Sequence, residues 1–272
     1  MCRPVHRTGV PTATADDGTG LRYAVAGEGT DPPVALVNDA GLGAWAWGWQ
    51  HEPLAGSRRV VTYDHRGTGE SDAAAEGPFD VDTLAADLGT VLAAADAKPA
   101  HLVGFGLGGA VALRYARENG VRSLTLVGTA AGDAIDEAGL DRCYPDGADE
   151  EAVRATLPAL FSDAFRDADP SLLERIVDWR RAEDAPPRAR RAQTDAWLAF
   201  DPGLLYEVTT PAVVLRGTDD PAVDRATAEA LADDLPRGRF EPVAGRRLAH
   251  VESSRPVNDA LLDFFAEVDD DD

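Results

Sequence analysis

Short, mainly apolar runs alternate with helical patterns along most of this 272-residue chain, and that alternation constrains the fold more than any other feature. The runs at 33–39, 59–64, 100–105, 122–128 and 211–217 are mainly apolar and lack the regular polar alternation of a strand that has one wet face. Strands of that kind lie in parallel sheets covered on both sides. Helical patterns follow at 80–97, 108–119 and 222–235, and a last one spans 256–268 after a strand at 238–243. In the first of these helices Leu84, Leu88, Val91 and Leu92 share a face, and Asp80 stands at the N-cap position. Residues 12–26 read as two short strands around an Asp17-Gly18 hairpin turn. Between residues 131 and 205 strands are absent from the pattern, and acidic helices are expected at 149–166, 170–182 and 186–200. The order predicts an α/β fold with a mostly parallel eight-stranded sheet and helices on both faces. Residues 1–130 and 206–272 would form its core, and 131–205 a helical insertion lying as a lid over the carboxyl edge of the sheet.

The strand at 100–105 runs into a turn packed with glycine, Gly104-Phe105-Gly106-Leu107-Gly108-Gly109. As written it satisfies G-x-G-x-x-G, a dinucleotide fingerprint, but that site also needs an acid about 20 residues further on, at the end of the next strand. Here the next strand ends Leu126-Val127-Gly128-Thr129-Ala130, with no acid before Asp133. A dinucleotide cofactor is not expected. The same turn satisfies G-x-S-x-G-G, the strand–turn–helix elbow that presents a nucleophilic serine, with Gly106 in the serine's place.

Four further segments agree with the elbow and fall in a consistent order. Residues 34–47, VALVNDAGLGAWAW, match a strand followed by an oxyanion turn, and 64–72, DHRGTGESD, match D-x-R-G-x-G-x-S. Residues 216–223, RGTDDPAV, match a G-x-x-D acid loop, and 244–265, AGRRLAHVESSRPVNDALLDFF, match a terminal G-H-x-x-H-x-E segment with its apolar helix. Over nearly its whole length the chain resembles the lid-bearing α/β-hydrolase superfamily of esterases, epoxide hydrolases and C–C hydrolases, least closely in the insertion. The resemblance implies a small-molecule ligand and no cofactor.

A serine hydrolase needs a nucleophile, a general base, an acid that orients the base, and two amides aimed at the developing oxyanion. The resemblance puts these parts on Gly106, Arg247 and Asp220 (with Asp219 beside it), and on the turn Asn38-Asp39-Ala40 together with Leu107. Glycine cannot attack, and arginine stays protonated and cannot act as a base. A shifted register would instead make His250 the base. Asp39, where the superfamily has glycine, would oppose oxyanion charge if it faced the site, or would turn outward as a cap. Arg247 is expected to form a charge-assisted pair with Asp220, and with Asp39 too if that side chain faces inward, within ion-pair range, about 4 Å. Phe105, Trp45, Trp179 and Trp197 are candidates to line an apolar pocket under the lid. Three readings follow: a homologue that binds a small apolar or carboxylate ligand without serine-type hydrolysis, a lyase, decarboxylase or water-adding enzyme using Asp220, Arg247 and His250, or a conventional esterase.

Charge restricts the partners. The chain carries 48 acidic against 26 basic residues, a net −22, with a single lysine at Lys98. That sign disfavours phosphate backbones, so nucleic acid is not an expected partner. Neither a secretory h-region nor an apolar stretch of about 18 residues is present, so a cytoplasmic protein without membrane insertion is expected. Cys2 and Cys143 are too few and too far apart for a disulfide framework or a metal site. An acidic, lysine-poor composition of this kind resembles that of proteins from salt-loving archaea; a high-GC actinobacterial origin accounts for the arginine but less well for the charge. Self-repulsion that salt screens makes the fold salt-dependent. The melting temperature is expected to rise between about 0.1 M and about 3 M KCl, across which the screening length falls severalfold, as followed by circular dichroism; an unchanged value would contradict this.

Overall fold

In the computed structural model, residues 11–73, 78–145, 147 and 149–271 are described, and Cys2 lies outside them. Eight strands form one sheet: β1 (Thr12–Thr14), β2 (Gly20–Ala26), β3 (Asp31–Val37), β4 (Arg58–Tyr63), β5 (His101–Phe105), β6 (Ser123–Val127), β7 (Ala212–Gly217) and β8 (Gly238–Val243). Their order across the sheet is β1-β2-β4-β3-β5-β6-β7-β8. β2 is antiparallel to both β1 and β4, and every other pairing is parallel. The mostly parallel sheet read from the apolar runs is therefore present.

Both faces of the sheet are dry because successive strand residues feed two separate cores. On β3, Ala35 and Val37 enter one cluster while Val34 and Leu36 enter the other; on β7, Ala212 and Val214 oppose Val213 and Leu215 in the same way. Helices Val81–Ala94, Leu107–Ala116 and Arg225–Asp234 cover the first face, and helices Gly48–Leu54 and Ser254–Asp270 the second. The Asp80 carboxylate accepts from the Thr83 N–H, which makes the expected N-cap.

Two helical expectations need correction. The stretch 149–166 is two helices, Glu150–Leu160 and Asp163–Ala168. Phe161 is extended, and the Ser162 hydroxyl accepts from the Phe165 N–H to start a new helix, a capping choice that the apolar periodicity does not register. The expected helix at 222–235 begins only at Arg225, because Ala222 and Val223 give their N–H groups to the Asp220 side chain.

The helices between β6 and β7 meet loops that leave the carboxyl ends of the strands. Fully buried Gln193, on helix Pro187–Leu198, accepts from the Gly41 N–H (2.7 Å) and donates to the Arg66 carbonyl (2.9 Å) and the Thr68 hydroxyl (2.8 Å). The Asp184 carboxylate accepts from the Trp45 indole (2.7 Å) and the Gly43 N–H (3.2 Å). Glu252 bridges the Arg246 and Ser162 N–H groups at 2.6 and 2.9 Å. No helix among the described residues is long and apolar enough to cross a membrane.

At the opposite, amino end of the sheet, His101 and Ser123 are register partners on β5 and β6. The His101 ring lies 2.8 Å from the Ser123 hydroxyl and 3.2 Å from the Asp269 carboxylate, which also accepts from Arg58 at 2.6 Å. Burial, with the charge on Arg58, brings this imidazole down to about 4 against the pull of Asp269. An unfolded histidine titrates near 6.5, so between about 6.5 and 4 the unfolded chain takes up the proton first. Stability held above that window is lost as pH falls through it. In urea titrations at pH 7 and pH 5, His101→Gln is expected to flatten the slope by up to about 1.4 kcal/mol per pH unit; an unchanged slope would contradict it.

Candidate functional site

The site is assembled at the carboxyl ends of β3, β5, β6, β7 and β8. β5 ends at Phe105, and the chain reverses through Gly106 into helix Leu107–Ala116 with φ +54° and ψ −116°. A side chain in that conformation costs about 1–3 kcal/mol, and a Cβ there would also run into the Asp39 carboxylate and the Arg247 guanidinium. The Gly106 N–H donates to the Val127 carbonyl (2.9 Å), and the Gly106 carbonyl accepts from the Thr129 hydroxyl (3.0 Å). The turn has the shape of an elbow with no space left at its tip.

Arg247 fills that space. Its Nη2 donates to Asp39 Oδ2 at 2.7 Å, and its Nη1 donates to Asp220 Oδ2 at 3.0 Å and to the Gly128 carbonyl at 2.7 Å. All three charged side chains are at most 2% exposed. The guanidinium carbon lies 4.7 Å from the Phe105 ring centre and 5.3 Å from that of Trp197, within cation–π range, about 6 Å. Burial disfavours the cation, but Asp39 and Asp220 outweigh it and hold Arg247 above the ordinary arginine range.

The two carboxylates are held alike. Each points one oxygen at Arg247 and the other at a pair of backbone N–H groups. Asp39 Oδ1 accepts from Ala40 (2.8 Å) and Leu107 (2.9 Å), and Asp220 Oδ1 accepts from Ala222 (2.8 Å) and Val223 (3.3 Å). The Leu107 N–H opens a helix, where unpaired amides and the helix dipole favour an anion. Arg216 secures the acid loop by donating to the carbonyls of Val223, Thr218 and Asp220. Asp219 is exposed and takes no part.

Other expected residues have different surroundings. Asn38 donates to the Tyr63 carbonyl, and its own carbonyl oxygen lies 2.9 Å from the His65 ring, so it braces the turn. His250 is buried between Trp47 and Phe105, with ring centres 4.9 and 4.6 Å away. Its nitrogens make no well-formed hydrogen bond, and the one polar contact acting on them is the backbone of Ala46. Burial, helped by the charge of Arg247, pushes its imidazole down to about 3 against the Ala46 contact. No carboxylate orients it, so the shifted-register role of His250 as base is corrected. The pocket expectation is corrected too: Phe105 and Trp197 clasp Arg247 instead of an open space, Trp45 is tied to Asp184, and Trp179 packs edge-on against Trp49 at 6.2 Å. Ser71 donates to the Asp64 carbonyl within its own turn.

Sequence reasoning passed over Cys143 and Tyr144. Both are buried, and Asp39 and Arg247 are among the charges that act on them. Burial pushes the Cys143 thiol up to about 12, so it holds no thiolate with which to replace a serine. Their spacing from the motifs carries no signal, because they lie between β6 and β7, outside every motif segment.

An elbow, an acid loop on β7 and a terminal histidine-type segment on one such sheet define an α/β-hydrolase-type protein. Residues 35–184 match the family described as alpha/beta hydrolase fold, and the chain belongs to that family. Relatives bearing the name carbamate hydrolase RutD share 33% identity in Variovorax paradoxus (91% of this chain, 97% of the relative) and 30% in Azorhizobium caulinodans (92% and 96%). The crystal structure of the enol-lactonase from Burkholderia xenovorans LB400 superposes with a TM-score of 0.82 at 26% identity, covering 94% of this chain and all of that one.

Removing one partner of a buried ion pair leaves a bare charge and costs about 3–5 kcal/mol. Arg247→Met, which strands two carboxylates, is expected to lower unfolding free energy by that amount in denaturant titrations, and a loss below about 1 kcal/mol would mean that the pairing is incidental.

Proposed function

We propose that this chain is a non-hydrolysing member of the alpha/beta hydrolase family, a small-molecule binder in which residues 131–205 act as a cap over a converted centre. One observation carries the reading: Asp39 Oδ1 accepts from the Ala40 and Leu107 amides, the pair to which the family resemblance gives the oxyanion. A carboxylate already on those donors repels a second developing negative charge, where an open hole lowers the barrier by about 3–4 kcal/mol. Gly106 offers no nucleophile and Arg247 no base, so three separate requirements of acyl transfer go unmet together.

The ligand reading needs a refinement from the same geometry. Arg247 already faces two carboxylates and a carbonyl, and the negative charge around it repels a further anion. A ligand would sit beside the ion triplet, not on it. A lyase or hydratase chemistry through His250 finds no support, since that ring is buried between aromatic neighbours and no carboxylate orients it. The relatives' names favour a second reading, hydrolysis of a small carbamate or lactone, which would require a nucleophile outside the elbow.

A panel of nitrophenyl esters, a carbamate and an enol lactone, run beside a fluorophosphonate probe, tests the reading. No turnover above buffer and no covalent labelling are expected. Gly106→Ser alone is expected to stay inactive and to lose stability. The triple change Asp39→Gly, Gly106→Ser, Arg247→His clears the hole and restores all three parts, and is expected to gain esterase activity. Turnover by the unaltered protein would refute the proposal.

A further inference from the structure

We propose that a cavity beside the ion triplet binds a small organic carboxylate with an apolar body, its charged end held by Arg142 and Arg246. This names the ligand of the binding reading above and rests on it. The cavity, about 530 Å³, lies between residues 141–145, helix Glu150–Leu160 and the turn at Pro221. That volume is within the usual span for small-molecule sites, about 300–1,000 Å³.

Among the described residues, its lining carries two arginines, Arg142 and Arg246, against one carboxylate, Asp141. That local balance runs against the overall charge of the chain, −22. Arg246 donates Nη1 to the Pro158 carbonyl at 2.7 Å, and neither it nor Arg142 has a carboxylate partner among the described residues. Many other arginines of the chain do, among them Arg58, Arg66, Arg154 and Arg180. Guanidinium groups left with spare donors match a carboxylate in both charge and planar geometry.

The remaining wall suits an apolar body. Ala152, Ala155 and Ala159 follow one face of their helix and line the cavity with Pro145. Short side chains leave width there, and among the described residues Asp141 is the one carboxylate in the lining. The cavity backs onto the converted centre: Pro221 follows Asp220, Arg246 precedes Arg247, and Tyr144 lines the cavity while its buried phenol feels Asp39 and Arg247. None of the three triplet residues lines it. The charged pair that receives the ligand is thus separate from the pair already satisfied inside.

Calorimetric titration with benzoate, at a KCl concentration that keeps the protein folded, tests this. Saturable binding is expected, with benzyl alcohol at least about tenfold weaker and the Arg142→Gln/Arg246→Gln double variant weakened by about the same factor at unchanged circular dichroism. Absence of benzoate binding at millimolar concentration, equal binding of benzyl alcohol, or full binding by the folded double variant would overturn the proposal. If the double variant does not fold, Arg142→Gln is read alone; that side chain is exposed, and its loss is expected to weaken benzoate by about threefold or more, no change being the contrary result. Ester hydrolysis by the unaltered protein, with benzoate binding still dependent on the two arginines, would remove the non-hydrolysing reading and leave this site standing.

Discussion

The Arg247 guanidinium is the interaction on which the centre of the molecule depends. It draws together five strand ends: Asp39 beyond β3, Phe105 at the end of β5, Gly128 beyond β6, Asp220 beyond β7, and its own segment beyond β8. Trp197, from the helices between β6 and β7, closes the other side of the cation. Two carboxylates and one guanidinium carry a surplus negative charge in a dry place, which is tolerable only because four backbone N–H groups take the outer carboxylate oxygens. The buried tyrosine and cysteine beside them stay protonated and add no charge. The three residues depend on one another: the carboxylate at 39 needs a cation, the cation at 247 needs space, and the glycine at 106 provides it.

Much of this was legible in the chain. The mainly apolar runs of β3 to β7 announced a sheet covered on both faces, and the glycine turn after β5 had the spacing of an elbow. The Arg247–Asp220 pair followed from ordered motifs, since each sits at a fixed offset from a strand end. The inward turn of Asp39 did not follow. An aspartate in a turn serves equally well as a local cap, and the partner that decides the matter is 208 residues away. The aromatic clasp was hidden for a related reason: Phe105 and Trp197 read as pocket walls because an aromatic ring packs against a ligand, a lipid or a cation with the same composition. The break at Phe161 escaped because capping by Ser162 is a local hydrogen-bond choice, whereas periodicity averages over turns.

The helices between β6 and β7 share both apolar clusters with the sheet, through Trp197 and Phe200 in one and Leu157, Leu160, Phe161 and Ile176 in the other, and polar groups add direction to that seam. Gln193 satisfies two loops at once, and Asp184 and Glu252 accept from backbone N–H groups across the junction. Buried polar contacts of this sort are worth little while made and cost much when one side is pulled away. They set a position for that segment more sharply than they stabilise it. A recess at the junction therefore has a defined shape, which a loose apolar lid would not provide.

The cluster at the amino end of the sheet carries a wider lesson. His101, Ser123 and Asp269 have the composition of a hydrolytic triad and hydrogen-bond distances to match, in a protein whose elbow has none. Yet the hydroxyl and ring are fully enclosed, Arg58 shares the carboxylate, and the strand register, not a substrate, holds the serine and histidine opposite each other. A search that scored only three side chains and their separations would select this end of the molecule and miss the other. Access and amide donors separate a machine from its silhouette, and here the silhouette serves as masonry, fastening the last helix beneath the sheet.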